Sequence, residues 1–454
     1  MPDLNESDSA VAISARRRIS RRLLPYLFGL YVVAYLDRVN VGYAALEMTR
    51  ALKFGPEVYG FGAGIFFVGY FILEIPGTLL VESWSARRWI ARILLTWGVV
   101  AMATGFVNTP RQFFWVRFFL GLAEAGFFPG IVVYLSHWYR RKEAAMALAW
   151  FITAQPISNI LGAPLSGWLL GVKWLGWEGW RWLFVVEGLP AVILGAVTLW
   201  YLTDWPHEAH WLTDAERRWV TAELERDSQM VGTQSPPRFW QAFYRREILV
   251  MVAGYVCIVT SIYGFTFWMP TVLQHMSHFS NSSVAAISML PYLVGLVATV
   301  LVGRSSDRRG ERKWHTAGCM AIIALGLAVS AHLENNVPLA IAAFCFAMIG
   351  MYGYLPVFWT LPRLYLGGVA AAASVGFINS VGNLGGFFGP YLFGYLVKTT
   401  HSFRAGMTVL AGIATLATVL IASLRPPDIA EGAHNRAGIP IETSKDWNAD
   451  SPRL

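Results

Sequence analysis

The sequence predicts an all-α integral membrane protein, with twelve transmembrane helices arranged as two six-helix halves and both termini in the cytoplasm. Three observations predict it. The chain is 55% hydrophobic and only 14% charged, where soluble chains carry about 25% charged residues. Apolar runs of about 20 residues, long enough to cross a hydrocarbon core, recur about twelve times along the 454 residues. Lys and Arg gather in alternate connections, the bias that places basic loops in the cytoplasm. The 20 Trp and 42 Gly fit the same class, because Trp concentrates at bilayer interfaces and Gly is frequent in membrane helices.

In order, the apolar runs fall near 23–44, 58–81, 89–107, 112–135, 144–170 and 181–202, then 247–272, 284–303, 315–332, 337–361, 367–396 and 405–424. Arg16, Arg17, Arg18, Arg21 and Arg22 precede the first run. Arg87, Arg88 and Arg92 follow the second, and Arg140, Arg141 and Lys142 the fourth. Arg304, Arg308, Arg309, Arg312 and Lys313 follow the eighth. The intervening loops His275–Ser283 and Leu333–Asn336 contain neither Lys nor Arg. This gives a cytoplasmic tail (1–22), a first half (23–202), a cytoplasmic linker (203–246), a second half (247–424) and a C-terminal tail (425–454). The linker contains the amphipathic stretch WLTDAERRWVTAELER, in which Thr213 and Glu216 have the spacing of a helix-opening capping box. The C-terminal tail is Pro-rich and polar and reads as disordered. The opening stretch has no apolar core beside its basic run, so no cleaved targeting segment is expected.

Several function classes drop out. The net charge of +8 resides in short loops, so it is a topology signal rather than a nucleic-acid footprint. Cys257, Cys319 and Cys345 match no metal-ligand spacing, and no metal or cofactor is expected. No nucleophile–base motif or phosphate-binding loop points to an enzyme.

The informative residues are charges within apolar runs. Asp37 and Arg38 lie in the first run, Arg117 and Glu124 in the fourth. A charge at the bilayer centre costs roughly 2.5–3.5 kcal/mol on insertion scales, so such groups pair and usually carry function. They read as the proton-coupling and anion-handling core of a transporter, against the plainer alternative of a structural ion-pair cluster. Arg117 and Glu124, two helical turns apart, share a face about 10 Å apart. The small residues Gly121, Ala123, Ala125 and Gly126 around Glu124 allow close helix approach. Asp37 and Arg38 project about 100° apart. One arrangement sends Asp37 toward Arg117 and Arg38 toward a central cavity. Tyr70, Gln155, Asn159, Trp359, Thr360, Asn379 and Asn383 are polar groups within the runs that could meet a solute or bond between helices. Tyr263 reads as packing. Glu74 and Glu187 fall near run ends and read as structural or gating groups within reach of basic loops. No mid-run charge is evident between 247 and 424, so coupling is expected in the first half.

Two loops repeat a pattern: GTLLVESWSARRW (77–89) and GRSSDRRGERKW (303–314). They resemble the cytoplasmic signature of the major facilitator superfamily. The first copy is degenerate, with Glu82 where Asp is usual. YLDRVNVGYAAL (35–46), GYFILEIPGTLL (69–80), RFFLGLAEAGFFPG (117–130), EGLPAVILG (187–195) and NSVGNLGGFFGP (379–390) resemble the anion:cation symporter family. The match runs over about residues 20–425. The resemblance implies a major facilitator fold and symport of a small organic carboxylate, such as tartrate, a sugar acid or an aromatic acid. It implies a proton as coupling ion, with sodium the alternative. It implies that Asp37 and Glu124, with Arg117, couple protons. It also implies that Arg38, Tyr70, Gln155, Trp359 and Asn379 contact substrate. A monomer in the bacterial cytoplasmic (inner) membrane follows by the same resemblance, with the lipid bilayer its surroundings and no nucleic-acid partner. A carboxylate sensor without flux, a facilitator and an exporter are the alternatives on the same scaffold.

Overall fold

The computed structural model describes residues 6–140, 143, 147–148, 151–229, 244–366 and 368–425, and these form helices and turns without strands. In chain order the first half contains α1 (Glu6–Ala51), α2 (Pro56–Ser83), α3 (Ala86–Thr104), α4 (Pro110–Glu124), α5 (Phe127–Ser136), α6 (Ala154–Leu170) and α7 (Gly179–Tyr201). The linker helix α8 spans Asp214–Gln229. The second half contains α9 (Arg246–Ser277), α10 (Asn281–Arg309), α11 (Lys313–Ser330), α12 (Val337–Gly353), the short turns α13 (Leu355–Phe358) and α14 (Pro362–Tyr365), α15 (Gly368–Asn383), α16 (Gly385–Thr400) and α17 (Phe403–Ala422). Eight helical stretches among the described residues are long and apolar enough to cross a membrane, fewer than the twelve runs read from the sequence. Of the rest, α6 has 17 residues and α15 and α16 have 16 each, while α3 opens on Arg87 and Arg88. The reading of the C-terminal tail as disordered falls on 426–454, outside the described residues, as do 230–243 of the linker and Arg141 and Lys142.

Three runs are broken. The fourth run stops at Glu124 and resumes at Phe127, because Gly126 adopts φ +83°, which L side chains rarely tolerate. The tenth is interrupted around Tyr354 and the eleventh at Leu384. Helix starts follow ordinary capping chemistry. Thr109 accepts a hydrogen bond from the Gln112 amide ahead of Pro110, and Ser85 does the same for Arg88.

The segment read as an N-terminal tail is helical from Glu6, so α1 runs 46 residues, about 69 Å at 1.5 Å per residue. Its basic first turns have a partner. Ser14 donates to Glu216 at 2.6 Å, Arg18 pairs with Glu216 at 3.3 Å, and the Arg16 guanidinium lies 5.0 Å from the Trp219 ring. The capping box forms as the spacing predicts: the Thr213 amide donates to Glu216 at 2.9 Å, and the Glu216 amide donates to Thr213 Oγ1 at 3.3 Å. Burial opposes the charge on Glu216, but Ser14, Thr213 and Arg18 outweigh it and hold the carboxyl below its ordinary value. A depressed folded-state value means that its stabilisation is present at neutral pH and is lost as pH falls through that value. Glu216→Gln is therefore expected to lower the unfolding midpoint in detergent at pH 7, with the gap to wild type closing on acidification. A gap that persists in acid contradicts this assignment.

Within the first half α3 lies along α7 and α2 along α4; within the second, α11 packs on α12 and α17, and α9 on α16 and α17. The halves meet through α2–α16, α6–α10 and α1–α9. These contacts gather at the end away from the basic loops. Glu57 pairs with Lys398 at 2.8 Å, Asn281 donates to Glu47 at 2.9 Å, Ser282 to the Gly167 carbonyl at 2.9 Å, and Tyr59 to the Phe267 carbonyl at 2.8 Å. At the basic end, α15 contributes only minor contact with α2. There Asp204, just beyond α7, accepts from Ser85 (2.7 Å) and the Arg87 amide (2.8 Å), and Asp307 pairs with Arg312 at 2.6 Å.

The α2–α4 contact is set by Gly121. A Cβ there would collide with the Phe66 carbonyl oxygen and stand 2.9 Å from the Tyr70 amide nitrogen, so backbone would have to move. Gly121→Leu is expected to cost at least about 1–3 kcal/mol, read as a lower unfolding midpoint. An unchanged midpoint means that α2 and α4 are not locked together here.

Candidate functional site

The four charges predicted from the sequence are in one region, but their pairing differs from the expected one. Arg38 forms an ion pair with Glu124, joining α1 to α4. Its guanidinium lies among three rings, 5.3 Å from those of Tyr35 and Tyr70 and 5.5 Å from that of Phe66. Such faces attract a cation. Asp37 does not pair with Arg117. One carboxylate oxygen accepts from the Trp97 indole of α3 at 2.8 Å and the other from the Asn40 amide at 3.3 Å. Arg117 is fully buried, with its centre 5.1 Å from the Phe66 ring and none of its nitrogens hydrogen-bonded. Tyr59, Glu124 and Asp37 act on it electrostatically. The physical reason for the correction is steric. Gly121, one turn before Glu124, lets α4 approach α2 closely, while Asp37 turns to α3, where a buried indole N–H needs an acceptor.

Glu187 and Glu74 also depart from expectation, since neither is turned to a basic loop. Glu187 is buried and accepts from Ser166 at 3.1 Å. Glu74 is buried and accepts from Asn379 of α15 at 2.6 Å. The helix α2 runs to Ser83, more than two turns beyond Glu74, which keeps this acid off the loop.

Gln155 donates to Tyr31 at 2.6 Å, and Tyr31 stacks on Phe151 with centroids 4.1 Å apart. Asn159 donates to the Gln155 carbonyl at 2.9 Å and across the halves to Tyr352 at 3.0 Å. Tyr263 lies against Phe67 at 4.5 Å and has its hydroxyl 3.4 Å from that of Tyr35. Trp359 sits in the turn after α13, its ring 5.0 Å from Tyr255. Sequence reasoning groups Glu124 with Asp37 and Arg117 and sets Arg38 and Tyr70 apart as substrate contacts, whereas the structure brings Arg38, Tyr70 and Glu124 together. Sequence reasoning missed Trp97, Asn40 and the Glu74–Asn379 bridge. The available signal for Trp97 was a Trp in mid-run rather than at an interface. Every buried acid or base among the described spanning residues lies in the first half. No cluster of three or more His, Cys, Asp or Glu among the described residues is placed to hold a metal ion.

A family model described as Major Facilitator Superfamily matches residues 27–390. The chain is 40% identical over 405 residues to the "Putative tartrate transporter" of Agrobacterium vitis, covering 89% of this chain and 90% of that one. It is 37% identical over 409 residues to the "Quinolone resistance transporter" of Acinetobacter baumannii, covering 89% and 93%. Its fold is similar to that of a bacterial homolog of the human lysosomal transporter Spinster in an inward-facing, occupied conformation. There the TM-score is 0.72 at 16% identity, over 88% of this chain and 95% of that one. The family and these relatives are transporters rather than enzymes.

Proposed function

Because the chain belongs to the Major Facilitator Superfamily, and is thereby a multi-pass membrane transporter, we propose that it carries a small organic carboxylate together with protons by alternating access. The observation that carries this reading is the Arg38–Glu124 pair. Arginine is the residue suited to a carboxylate, because it stays charged and offers a planar fork of donors. In this structure an internal carboxylate occupies that fork, so an external one must displace it. A proton on Glu124 removes its charge and frees Arg38 for substrate. Loss of that proton returns Glu124 to Arg38 and ejects the substrate. The exchange is direct competition at Arg38. Arg117, close to both Asp37 and Glu124, is the fixed cation that keeps their charged forms tolerable. Asp37, held by Trp97 and Asn40, is the second proton site.

Contacts between the halves at the end away from the basic loops, together with the closed Arg38–Glu124 pair, fit the state reached after release into the cytoplasm. The reading includes twelve crossings, both termini cytoplasmic, residence in a bacterial cytoplasmic membrane as a monomer, and Tyr70, Gln155, Trp359 and Asn379 completing the substrate site. The tartrate relative and the amide groups favour a hydroxylated carboxylate. The test is uptake into proteoliposomes under an inward proton gradient, with tartrate, aldonates, aldarates, hexuronates and aromatic carboxylates. Accumulation that collapses with a protonophore is the expected result. Binding without accumulation would instead identify a sensor or facilitator.

A further inference from the structure

Glu74 stands to the second half as Glu124 stands to Arg38. Glu74 is 2% exposed, and its carboxylate takes the Asn379 amide of α15 at 2.6 Å, with Ser380 and Asn383 on the same helix. Asn379 is the second-half donor that meets Glu74. Glu74 lies one turn from Tyr70 and so shares its face, and the Tyr70 ring is 5.3 Å from the Arg38 guanidinium. The charged and titratable groups acting on Glu74 from its surroundings are Arg38 on α1, Tyr70 on its own helix, and Tyr255 on α9.

We infer that Glu74 is a specificity-determining residue that selects the far end of the substrate. The inference rests on the reading of Arg38 as the carboxylate anchor. A substrate whose carboxylate occupies Arg38 extends its other end toward Asn379 and Glu74. A hydroxyl there can accept from Asn379 and donate to ionised Glu74, so it fits without any change of charge. A second carboxylate competes with Glu74 for the same amides and meets a like charge in a buried setting, which is strongly unfavourable. It binds when Glu74 takes up a proton, which removes the repulsion and turns the carboxyl into a donor. Dicarboxylates therefore enter with one more proton than hydroxy-monocarboxylates do.

The experiment measures the affinities of purified wild-type protein for tartrate and for gluconate between pH 6 and pH 8, where both ligands are fully ionised. Protonation of Glu124 affects the Arg38 end of both ligands alike and cancels in the ratio. The expected result is a preference for tartrate over gluconate that falls by about tenfold or more as pH rises, and a flattened, tartrate-favouring ratio in Glu74→Gln. A pH-independent ratio in wild type overturns the inference without recourse to any variant. So does a pH-dependent ratio that Glu74→Gln leaves unchanged, which would keep Arg38 as anchor and remove only Glu74. Failure of both ligands to bind wild type overturns the hydroxylated-carboxylate reading, and the inference with it.

Discussion

Replacing Glu124 with glutamine is expected to abolish uptake driven by a pH gradient while sparing exchange of substrate across the membrane. The amide keeps nearly the shape of the acid, remains neutral, and imitates the protonated carboxyl at every pH. Arg38 loses the anion that competes for it, so binding persists or tightens. What is lost is the step in which a departing proton drives substrate off. One proton moving down a one-unit pH gradient supplies about 1.4 kcal/mol, or roughly tenfold in accumulation. The measurement is a pair of assays on the same proteoliposomes, gradient-driven uptake and counterflow of labelled substrate. Retained gradient-driven accumulation would remove Glu124 from coupling. Loss of counterflow as well would point to binding or folding.

Removing the guanidinium is expected to have the largest effect on binding. Arg38→Ala takes away the fork paired with Glu124 and leaves that acid buried with Arg117 acting on it. Truncating one side of a buried, hydrogen-bonded charge pair costs about 2–5 kcal/mol, a loss of roughly thirty- to several-thousand-fold in carboxylate affinity. Arg38→Lys should recover part of it, since it restores charge without the fork. The double variant Arg38→Ala with Glu124→Gln guards against misfolding, because it leaves no stranded anion. If it folds and still binds carboxylates with wild-type affinity, Arg38 is not the anchor.

Much of this architecture was legible in the sequence because bilayer physics writes itself in long apolar runs and basic loops. The capping box at Thr213 was equally local, and it formed as spaced. Partner choice was not local. Adjacency of Asp37 and Arg38 fixes the angle between them but not which helix each one meets, and the close approach at Gly121 and the indole of Trp97 decided that. The breaks at Gly126, Tyr354 and Leu384 interrupt runs whose hydropathy is continuous, so apolarity alone could not place them. Position within a run does not show which helix an acid such as Glu74 meets. Its partner Asn379 lies 305 residues on, a pairing visible only once the halves are assembled.

The confinement of buried charge to the first half bears on how the chain is made. A helix leaves the ribosome and meets the bilayer before its later neighbours exist. Asp37 and Arg38 must enter while Glu124 is still 86 residues from being synthesised, a delay of roughly 4–17 s at 5–20 residues per second. During that interval α1 carries two charges whose insertion is costly, by about 2.5–3.5 kcal/mol each at mid-bilayer, and α4 brings the ion-pair partner of Arg38 only at its last residue. The first helix therefore gains the ion-pair partner of Arg38 only when the fourth arrives. The second half has no such debt among its described residues and can be laid down helix by helix. Charge-altering substitutions in α1 and α4 should therefore change how much protein reaches the membrane as well as how well it works there.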